Sequence, residues 1–292
     1  MSQNGTYTSN VDRRRLVGKI LTGVFFLCTV VGLIVLLALL VDVVQTGWPW
    51  LDRQFLTEFP SRFPEEAGIW SALIGTIWMM ALTALISVPI GVGTAIYLEE
   101  YARENWFTRL IQVNIANLAG VPSVIFGILG LAIFVRFLAL GRSVIAGSLT
   151  MSLLILPIII ISTQEALRAI PDGIRQSAYA LGATRWQVIR SHLLPIAAPG
   201  IMTGIILSLS RAIGETAPLI MIGALTMVPF VPNNIMDAFT VLPIQIFNWT
   251  ARPQPEFQQL AAAGIIVLMA MLLTMNLSAV LLRNYYEKNR PE

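Results

Sequence analysis

Six long runs of almost purely apolar residues dominate this sequence and constrain its fold more than any other feature. They cover about residues 19–44, 70–98, 111–137, 143–164, 196–228 and 260–282. A helix of about 20 residues crosses the roughly 30 Å hydrocarbon core of a bilayer, and each run is long enough for that. Because lipid cannot hydrogen-bond an exposed backbone, we expect six transmembrane helices. The runs also lack the polar–apolar alternation of membrane β-barrel strands.

The scarcity of charge supports the same fold class. Charged residues make up 12% of the chain and apolar residues 56%, whereas a soluble domain carries about 25% charged residues. The sequence therefore predicts an all-α polytopic membrane protein with one transmembrane domain over residues 19–283, between polar tails at 1–18 and 284–292. The first apolar run exceeds the about 7–15 residues of a signal-peptide core, so we expect a retained helix. We expect the first twelve residues to be disordered.

Lysine and arginine are distributed unevenly between the two sides of the expected spans. Both termini lie on one side of six spans, together with 13 of the 19 Lys and Arg residues, and 5 lie on the other side. The positive-inside rule therefore predicts that both termini and the loop of residues 165–195 are cytoplasmic. In such a chain the net charge of +3 reflects orientation in a lipid bilayer, and we expect no nucleic-acid partner.

Single residues exclude several kinds of chemistry. Cys28 is the only cysteine, which excludes a disulfide framework and a cysteine-rich metal site. His192 is the only histidine, which argues against a His-cluster metal site and against His-based catalysis. The sequence also lacks the G-x-x-x-x-G-K-[ST] loop that binds nucleotide phosphates. We therefore expect no cofactor or metal on this chain.

The large cytoplasmic loop contains the signals of a short helix. Pro171 ends the preceding span, and Asp172 is a typical capping residue for a new helix. Ile174, Ala178 and Leu181 then recur at helical spacing and predict one apolar face. The loop is therefore expected to be ordered.

A second helix signal follows in the same loop. Gly182 favours the end of the first short helix, and Thr184 with Gln187 has the T-x-x-Q spacing of a capping box for another. Pro195 then introduces the fifth span. The residues alone leave two interpretations open, which are amphipathic helices resting on lipid and a docking element for a cytoplasmic partner.

Arg211 and Glu215 are the only ionisable residues deep inside an expected span. They are four residues apart, so that they share one face of a helix and can pair. A charge at the centre of a bilayer costs about 2.5–3.5 kcal/mol on insertion scales, and such residues are functional by default. Two interpretations stay open, a buried pair that fixes helix packing and a polar element that lines the route of an anion.

The cytoplasmic loop resembles the E-A-A-x3-G-x9-I-x-L-P motif of bacterial ABC import permeases. The matching positions are Ala178, Gly182, Leu194 and Pro195. The departing positions are Gln176, Ser177 and His192. In that family the short helix of this loop sits in a groove of a separate ATPase, so the resemblance implies a coupling role. The residues assigned to ATPase coupling are Arg175, Gln176, Ser177, Ala178, Tyr179, Ala180, Leu181, Gly182, Ala183 and Thr184.

The fifth span resembles a motif of phosphate ABC permeases, Arg-Ala-Ile-Gly-Glu-Thr-Ala-Pro at residues 211–218. Its Thr-Ala-Pro ending is closer to the PstA-type permease than to the partner PstC-type permease. Residues 97–102, 117–123 and 165–167 carry further similarity. The resemblance implies the fold of a type I ABC import permease in a bacterial inner membrane. The residues assigned to the substrate path are Arg211, Glu215, Thr216, Asn117 and Ser123.

The same resemblance implies a set of partners. They are a PstC-type permease, two PstB-type ATPase subunits, an external phosphate-binding protein and inorganic phosphate, with ATP and Mg²⁺ bound by the ATPase. An importer of another oxyanion, such as sulfate or molybdate, is the nearest alternative. A passive channel would not need the ordered loop. An intramembrane enzyme would need a Ser–His dyad in the membrane, paired aspartates within spans or an H-E-x-x-H motif, which the sequence lacks.

Single cysteines test the predicted topology. Cys28 is replaced, and cysteines are placed one at a time at Ser2, Ser61, Ser177 and Asn233. An impermeant thiol reagent added outside intact cells should label only Ser61→Cys and Asn233→Cys, because only these positions face outward. Permeabilised cells provide the positive control, in which all four should react. Labelling of Ser177→Cys in intact cells would overturn the orientation.

Overall fold

The computed structural model describes residues 11–224 and 227–288, and this part of the chain consists of helices and connecting loops without a β-sheet. The helices are α1 Val11–Gly47, α2 Arg53–Thr57, α3 Trp70–Ile96, α4 Trp106–Ala119, α5 Ser123–Gly130, α6 Val144–Arg168, α7 Asp172–Ala180, α8 Arg185–Val188, α9 Leu194–Gly214, α10 Ala217–Ile222, α11 Leu242–Thr250 and α12 Pro255–Lys288. The π-helical turns among the described residues are Tyr97–Tyr101 after α3, Leu131–Phe137 after α5 and Ile189–Leu193 between α8 and α9.

Four of the six expected spans are confirmed as continuous helices that are long and apolar enough to cross a membrane. They lie within Arg13–Trp50, Trp70–Tyr101, Val144–Arg168 and Pro255–Asn284. Both α1 and α12 continue into the segments expected as polar tails. Val11 and Asp12 are helical, which corrects the expectation of disorder at these two positions. The other residues of that expectation, 1–10, lie outside the described residues.

The third expected span is not a straight helix. α4 and α5 meet at an angle of 107°. Gly120 and Pro122 lie at the bend, where the proline has no N–H to donate and disfavours a helical conformation at the residue before it. The end of α4 is closed by a bond from Gly120 N–H to the carbonyl of Asn117 at 3.0 Å. The apolar run therefore predicted the segment but not its bend.

The fifth expected span is also interrupted. α9 ends at Gly214, and Glu215 has extended backbone angles, φ −78° and ψ 123°. α10 then begins with Pro218 in its first turn, where a proline leaves no helical hydrogen bond unmade. The expected continuous span over residues 196–228 is therefore wrong beyond Gly214, and residues 225–226 of it lie outside the described part.

α6 is the central helix and packs closely along α3. In its most apolar 18-residue stretch, 67% of the residues are buried. The corresponding share is at most 33% in the other continuous spans. A Cβ atom at Gly91 of α3 would lie 2.6 Å from Cγ2 of Ile159, so that glycine permits this approach. Ser148 Oγ lies 3.2 Å from the carbonyl oxygen of Met79 across the same interface. Small residues and hydroxyl bonds of this kind are typical of helix association in lipid.

The segment before α11 covers the end of the bundle opposite the 165–195 loop. Leu242 N–H donates to Thr76 Oγ1 at 2.9 Å, and Val144 N–H donates to the carbonyl of Asp237 at 3.1 Å. These bonds attach the segment to α3 and to the start of α6. α1 packs on α12, and a Cβ atom at Gly47 of α1 would lie 2.5 Å from the backbone nitrogen of Ala263.

Candidate substrate path and coupling region

Arg211 and Glu215 form the ion pair that the sequence predicted. Arg211 Nε lies 3.4 Å from Glu215 Oε1. The geometry differs from the expected one, because α9 ends at Gly214 and Glu215 bonds back to Arg211 from the extended segment that follows. The side chain of Arg211 is 50% exposed and that of Glu215 is 19% exposed. The guanidinium therefore lies at an open surface of this chain.

Two polar contacts set the register between α9 and α12. Ser210 Oγ hydrogen-bonds to Asn276 Oδ1. Arg283 Nη1 donates to Thr203 Oγ1 at 3.1 Å. From the first contact to the second, the position moves seven residues back along α9, from Ser210 to Thr203. On α12 it moves seven residues forward, from Asn276 to Arg283. The helices are therefore antiparallel. The position of a residue of α9 within the membrane can be read from the residue of α12 that it contacts.

The contact between Ser210 and Asn276 sets the depth of Arg211. Asn276 precedes Leu282, the end of the last apolar run, by six residues, which at 1.5 Å per residue is about 9 Å. Arg211 follows Ser210 directly, so the charge lies within the membrane segment, in the half nearer the 165–195 loop. Sequence reasoning missed Asn276, although it is the only asparagine in the last apolar run.

Arg211 belongs to an exposed stripe along one face of α9. The residues of this α9 stripe, at helical spacing, are Gly200, Leu207, Arg211 and Gly214. α12 has an exposed stripe at a similar depth that consists of leucine. The residues of this α12 stripe are Leu273, Leu277 and Leu281. Leucine is stable against lipid, whereas a guanidinium requires polar surroundings. The exposed Thr274 and Ser278 lie beside the α12 stripe.

The two interrupted spans pack against each other. Gly127 of α5 lies against α10, where a Cβ atom would come within 2.7 Å of Pro218 Cα and Met221 Cβ. Irregular backbone within a membrane persists where protein or a water-filled cavity surrounds it, and not where lipid does. Helices interrupted within the membrane are typical of substrate sites in transporters. This contact brings the break before α5 and the break before α10 into one region of the molecule.

The remaining residues assigned to the path lie at these two breaks. Thr216 precedes α10, and its carbonyl accepts N–H bonds from the first turns of that helix. Ser123 is the half-buried first residue of α5, and Asn117 is exposed near the end of α4. Arg211, Glu215 and Thr216 are thus contiguous, whereas Asn117 and Ser123 flank the bend of the third span.

The loop of residues 165–195 forms the expected short helix, α7, with a correction at each end. Its N-cap is Pro171, and Asp172 instead accepts a hydrogen bond from Arg175 Nη1 at 3.3 Å. Gly182 follows the helix in the left-handed region, with φ +82°, as glycine favours. Leu181 is 90% exposed, so the predicted apolar face is wrong at this position. Leu181 is the C-cap, where the chain already turns away from the helix axis.

The predicted apolar face of α7 packs against the protein at its other two positions, Ile174 and Ala178. Ala178 is 5% exposed and packs with the half-buried Ile174 in a cluster with Leu167, Val188 and Leu193. These partners come from the end of α6 and from the helix that leads into α9. The cluster therefore attaches α7 to both flanking spans.

Thr184 and Gln187 form the predicted capping box. Thr184 N–H donates to Gln187 Oε1 at 2.7 Å, and Gln187 N–H donates to Thr184 Oγ1 at 3.4 Å. The expectation of a separate second short helix is wrong, because α8 continues through Ile189–Leu193 into α9 as one helix, Arg185–Gly214. The wide π-helical turn lies just before Pro195, which has no N–H for a regular helical bond. Continuous helix thus joins the loop to the fifth span.

The ten residues assigned to coupling fall into two groups by exposure. The exposed ones are Gln176, Ser177, Tyr179, Ala180, Leu181, Gly182 and Thr184. The buried and half-buried ones are Arg175, Ala178 and Ala183. Three large apolar side chains of the loop, Tyr179, Leu181 and Trp186, are exposed among polar residues. Sequence reasoning missed Trp186, although a tryptophan in a polar loop is a signal for a contact surface.

Comparison with known proteins agrees with this architecture. Residues 87–290 match the family model of the binding-protein-dependent transport system inner membrane component. The probable ABC transporter permease protein YqgI of Bacillus subtilis is 32% identical over 91% of this chain and 95% of its own. The phosphate transport system permease protein PstA 1 of Mycobacterium tuberculosis is 32% identical over 93% of this chain and 90% of its own. The resemblance to PstA-type permeases is thereby confirmed.

The fold also has a solved counterpart. A bacterial ABC transporter involved in the import of the acidic polysaccharide alginate matches 93% of this chain and 98% of its own, with a TM-score of 0.67 and 18% identity. The chain therefore has the fold of a type I ABC importer permease and is a multi-pass inner-membrane protein. It belongs to the family of binding-protein-dependent transport system inner membrane components.

Proposed function

We propose that this chain is the PstA-type permease subunit of an ATP-driven phosphate importer. The observation that carries the proposal is the half-exposed guanidinium of Arg211 inside the membrane segment. A charge at the centre of a bilayer costs about 2.5–3.5 kcal/mol on insertion scales, and charged residues within transmembrane segments face the bundle interior or a water-filled cavity. We therefore assign the α9 stripe to protein or water. A second permease of PstC type, with an anion route between the two subunits, supplies these surroundings.

Arg211 is chemically suited to an oxyanion. A guanidinium presents parallel N–H donors that match two oxygens of a phosphate. Glu215 holds the Nε atom, and within the described part of the chain the two terminal nitrogens make no hydrogen bond. The Glu215 carboxylate orients the guanidinium and competes with the anion, so that phosphate can leave as a conduction path requires. Thr216, Asn117 and Ser123 add hydroxyl and amide groups along the two breaks.

The exposed loop surface is suited to an ATPase. Tyr179, Leu181 and Trp186 are 43%, 90% and 55% exposed, and tyrosine and tryptophan are enriched at protein interfaces. We assign this surface to the groove of a PstB-type ATPase, which binds ATP and Mg²⁺. Two ATPase subunits serve the two permeases. Because the helix Arg185–Gly214 is continuous, a displacement of the loop reaches Arg211 along one helix.

The proposed orientation follows the distribution of positive charge. The loop and both termini are cytoplasmic, with 13 of the 19 Lys and Arg residues on that side. An external phosphate-binding protein delivers phosphate at the opposite face. ATP closes the ATPase pair, the coupling helices move together, and the paired permeases switch from inward-facing to outward-facing.

Uptake of labelled phosphate tests the proposed function. The chain is purified with its second permease and ATPase and reconstituted in liposomes, with ATP on the side of the loop and the binding protein on the other side. We expect uptake that requires hydrolysable ATP and is not reduced by a large excess of sulfate or molybdate. A non-hydrolysable ATP analogue is the matched control. Inhibition by sulfate or molybdate would assign the importer to another oxyanion, and ATP-independent uptake would indicate a passive channel.

Replacement of Arg211 tests its role in the route. Arg211→Gln should assemble and lower uptake about ten- to hundredfold, because a hydrogen bond to a charged group contributes about 1.5–3 kcal/mol. Glu215→Gln should reduce uptake less, because the anion-binding guanidinium is retained. Arg136→Gln is the matched control, since it removes an exposed arginine after α5, and it should transport normally. Copurification of the partners measures assembly.

Exchange of the two charges separates the route from a packing role. The double variant Arg211→Glu with Glu215→Arg keeps the attraction but moves the guanidinium from α9 to the extended segment. We expect this variant to assemble and to remain defective in uptake. Near-normal uptake by the exchanged pair would show that Arg211 and Glu215 serve helix packing instead.

A further inference from the structure

The inner end of α3 carries two adjacent carboxylates, Glu99 and Glu100, whose contacts reach the coupling region. Both lie in the π-helical turn Tyr97–Tyr101. Their side chains are 15% and 7% exposed, so both carboxylates are largely shielded from solvent. Neighbouring residues on a helix point in different directions, and each carboxylate meets a different arginine.

Glu99 joins α3 to the end of α6. Arg168 donates to it from two nitrogens, from Nη2 to Oε1 at 2.6 Å and from Nε to Oε2 at 3.0 Å. Gln164 Nε2 donates to the same Oε1 at 2.7 Å. A two-point contact between guanidinium and carboxylate fixes orientation as well as distance. The inner ends of α3 and α6 are therefore held together as a unit.

Glu100 joins α3 to the coupling helix itself. Arg175 of α7 donates to Glu100 Oε1 from Nη2 at 3.0 Å and from Nε at 3.3 Å. Its Nη1 and Nη2 also donate to the carbonyls of Ile170 and Leu167, both at 3.0 Å. One guanidinium thus connects α3, the end of α6 and α7. Its side chain is only 19% exposed, so Arg175 contributes little to the exposed loop surface.

The start of the fifth-span helix reaches the same turn. The guanidinium of Arg185, in α8, lies 5.5 Å from the centre of the Tyr101 ring, which is a cation–π contact. Tyr101 is the last residue of the turn that carries both carboxylates. α7 and α8 therefore both contact the end of α3.

We infer that a carboxylate latch, formed by Glu99, Glu100, Arg168 and Arg175, transmits movement of the coupling helix to the second span. The inference rests on the proposed function and adds a second path to the helix that runs from α8 into α9. α7 has only nine residues, and a helix of that length is marginal without tertiary contacts. Arg175 is accordingly a positioning residue, which acts through Glu100 and not through contact with the ATPase.

The energetics of shielded ion pairs explain why the latch would select one arrangement. Such a pair adds little net stability, because desolvation offsets the attraction, but removal of one partner leaves a shielded charge without compensation. An arrangement in which α7 moves while α3 stays would separate Arg175 from Glu100. The shielded carboxylate of Glu100 would then have no compensating charge. Movement of α7 together with α3 avoids this separation.

Variants of the latch test the inference in the reconstituted importer. Glu100→Gln and Arg175→Gln each remove one charge of the pair, and Glu104→Gln, an exposed acid four residues later, is the matched control. Both latch variants should assemble and hydrolyse ATP but import several-fold less phosphate per ATP. The double variant should be no worse than either single variant, because both residues act through one contact. Glu104→Gln should keep the wild-type ratio.

A second measurement does not depend on transport. Amide hydrogen exchange of the purified chain should be about tenfold faster in α7 of Glu100→Gln, since the lost bonds involve charged groups. Exchange in α12 should stay unchanged. Arg175→Lys keeps the positive charge but loses the planar guanidinium group that makes several hydrogen bonds at once. This variant is used if the glutamine variants do not assemble. It should give an intermediate ratio of phosphate to ATP.

The outcomes separate this inference from the proposed function. A wild-type complex that imports no phosphate would contradict the proposed function, whereas the exchange experiment would still report on the contacts of α7. A wild-type ratio of phosphate to ATP in the latch variants of a working importer would overturn the inference alone. Unchanged exchange in α7 would also overturn it, because the latch would then not hold the helix.

Discussion

A charged side chain inside a bilayer must be separated from lipid, and in this chain the constraint acts most strongly on Arg211. Its position within the membrane segment follows from the contact of its neighbour Ser210 with Asn276. The end of α9 at Gly214 lets Glu215 return to the guanidinium. α5 and α10 pack together beside the two breaks, so that the irregular backbone has protein against it. The break that follows α9 thus lies beside the exposed charge, and the contact between α5 and α10 joins the two interrupted spans.

The spans could be predicted from the sequence, because the thickness of a bilayer dictates a minimum apolar length. The two breaks could not, since the residues at them also occur in straight helices. Pro89 and Pro157 lie inside α3 and α6, which are continuous, whereas Pro122 accompanies a bend of 107°. The difference lies in tertiary packing, where α5 closes on α10 at Gly127. A single sequence does not show that contact.

The candidate site divides in the same way between local and long-range features. The Thr184 capping box depends on residues three apart, so its spacing was sufficient to predict it. The contact of Glu100 with Arg175 joins residues 75 apart, and only the fold brings them together. It also gives Arg175 a partner within this chain, whereas the resemblance implied a contact with the ATPase. The loop therefore has three large exposed apolar side chains, Tyr179, Leu181 and Trp186, and a shielded ion pair that joins α7 to the end of α3.

Reactivity of two cysteines at similar depth tests the central claim that the α9 stripe faces a polar route. In a chain without Cys28, Leu207→Cys is compared with Leu277→Cys in the assembled complex. These leucines are 64% and 59% exposed and lie within one helical turn of the Ser210–Asn276 contact. A small anionic thiol reagent, applied to intact cells and to inverted vesicles, should modify Leu207→Cys from at least one side and leave Leu277→Cys unmodified. Equal reactivity at the two positions, or none at Leu207→Cys, would contradict the account.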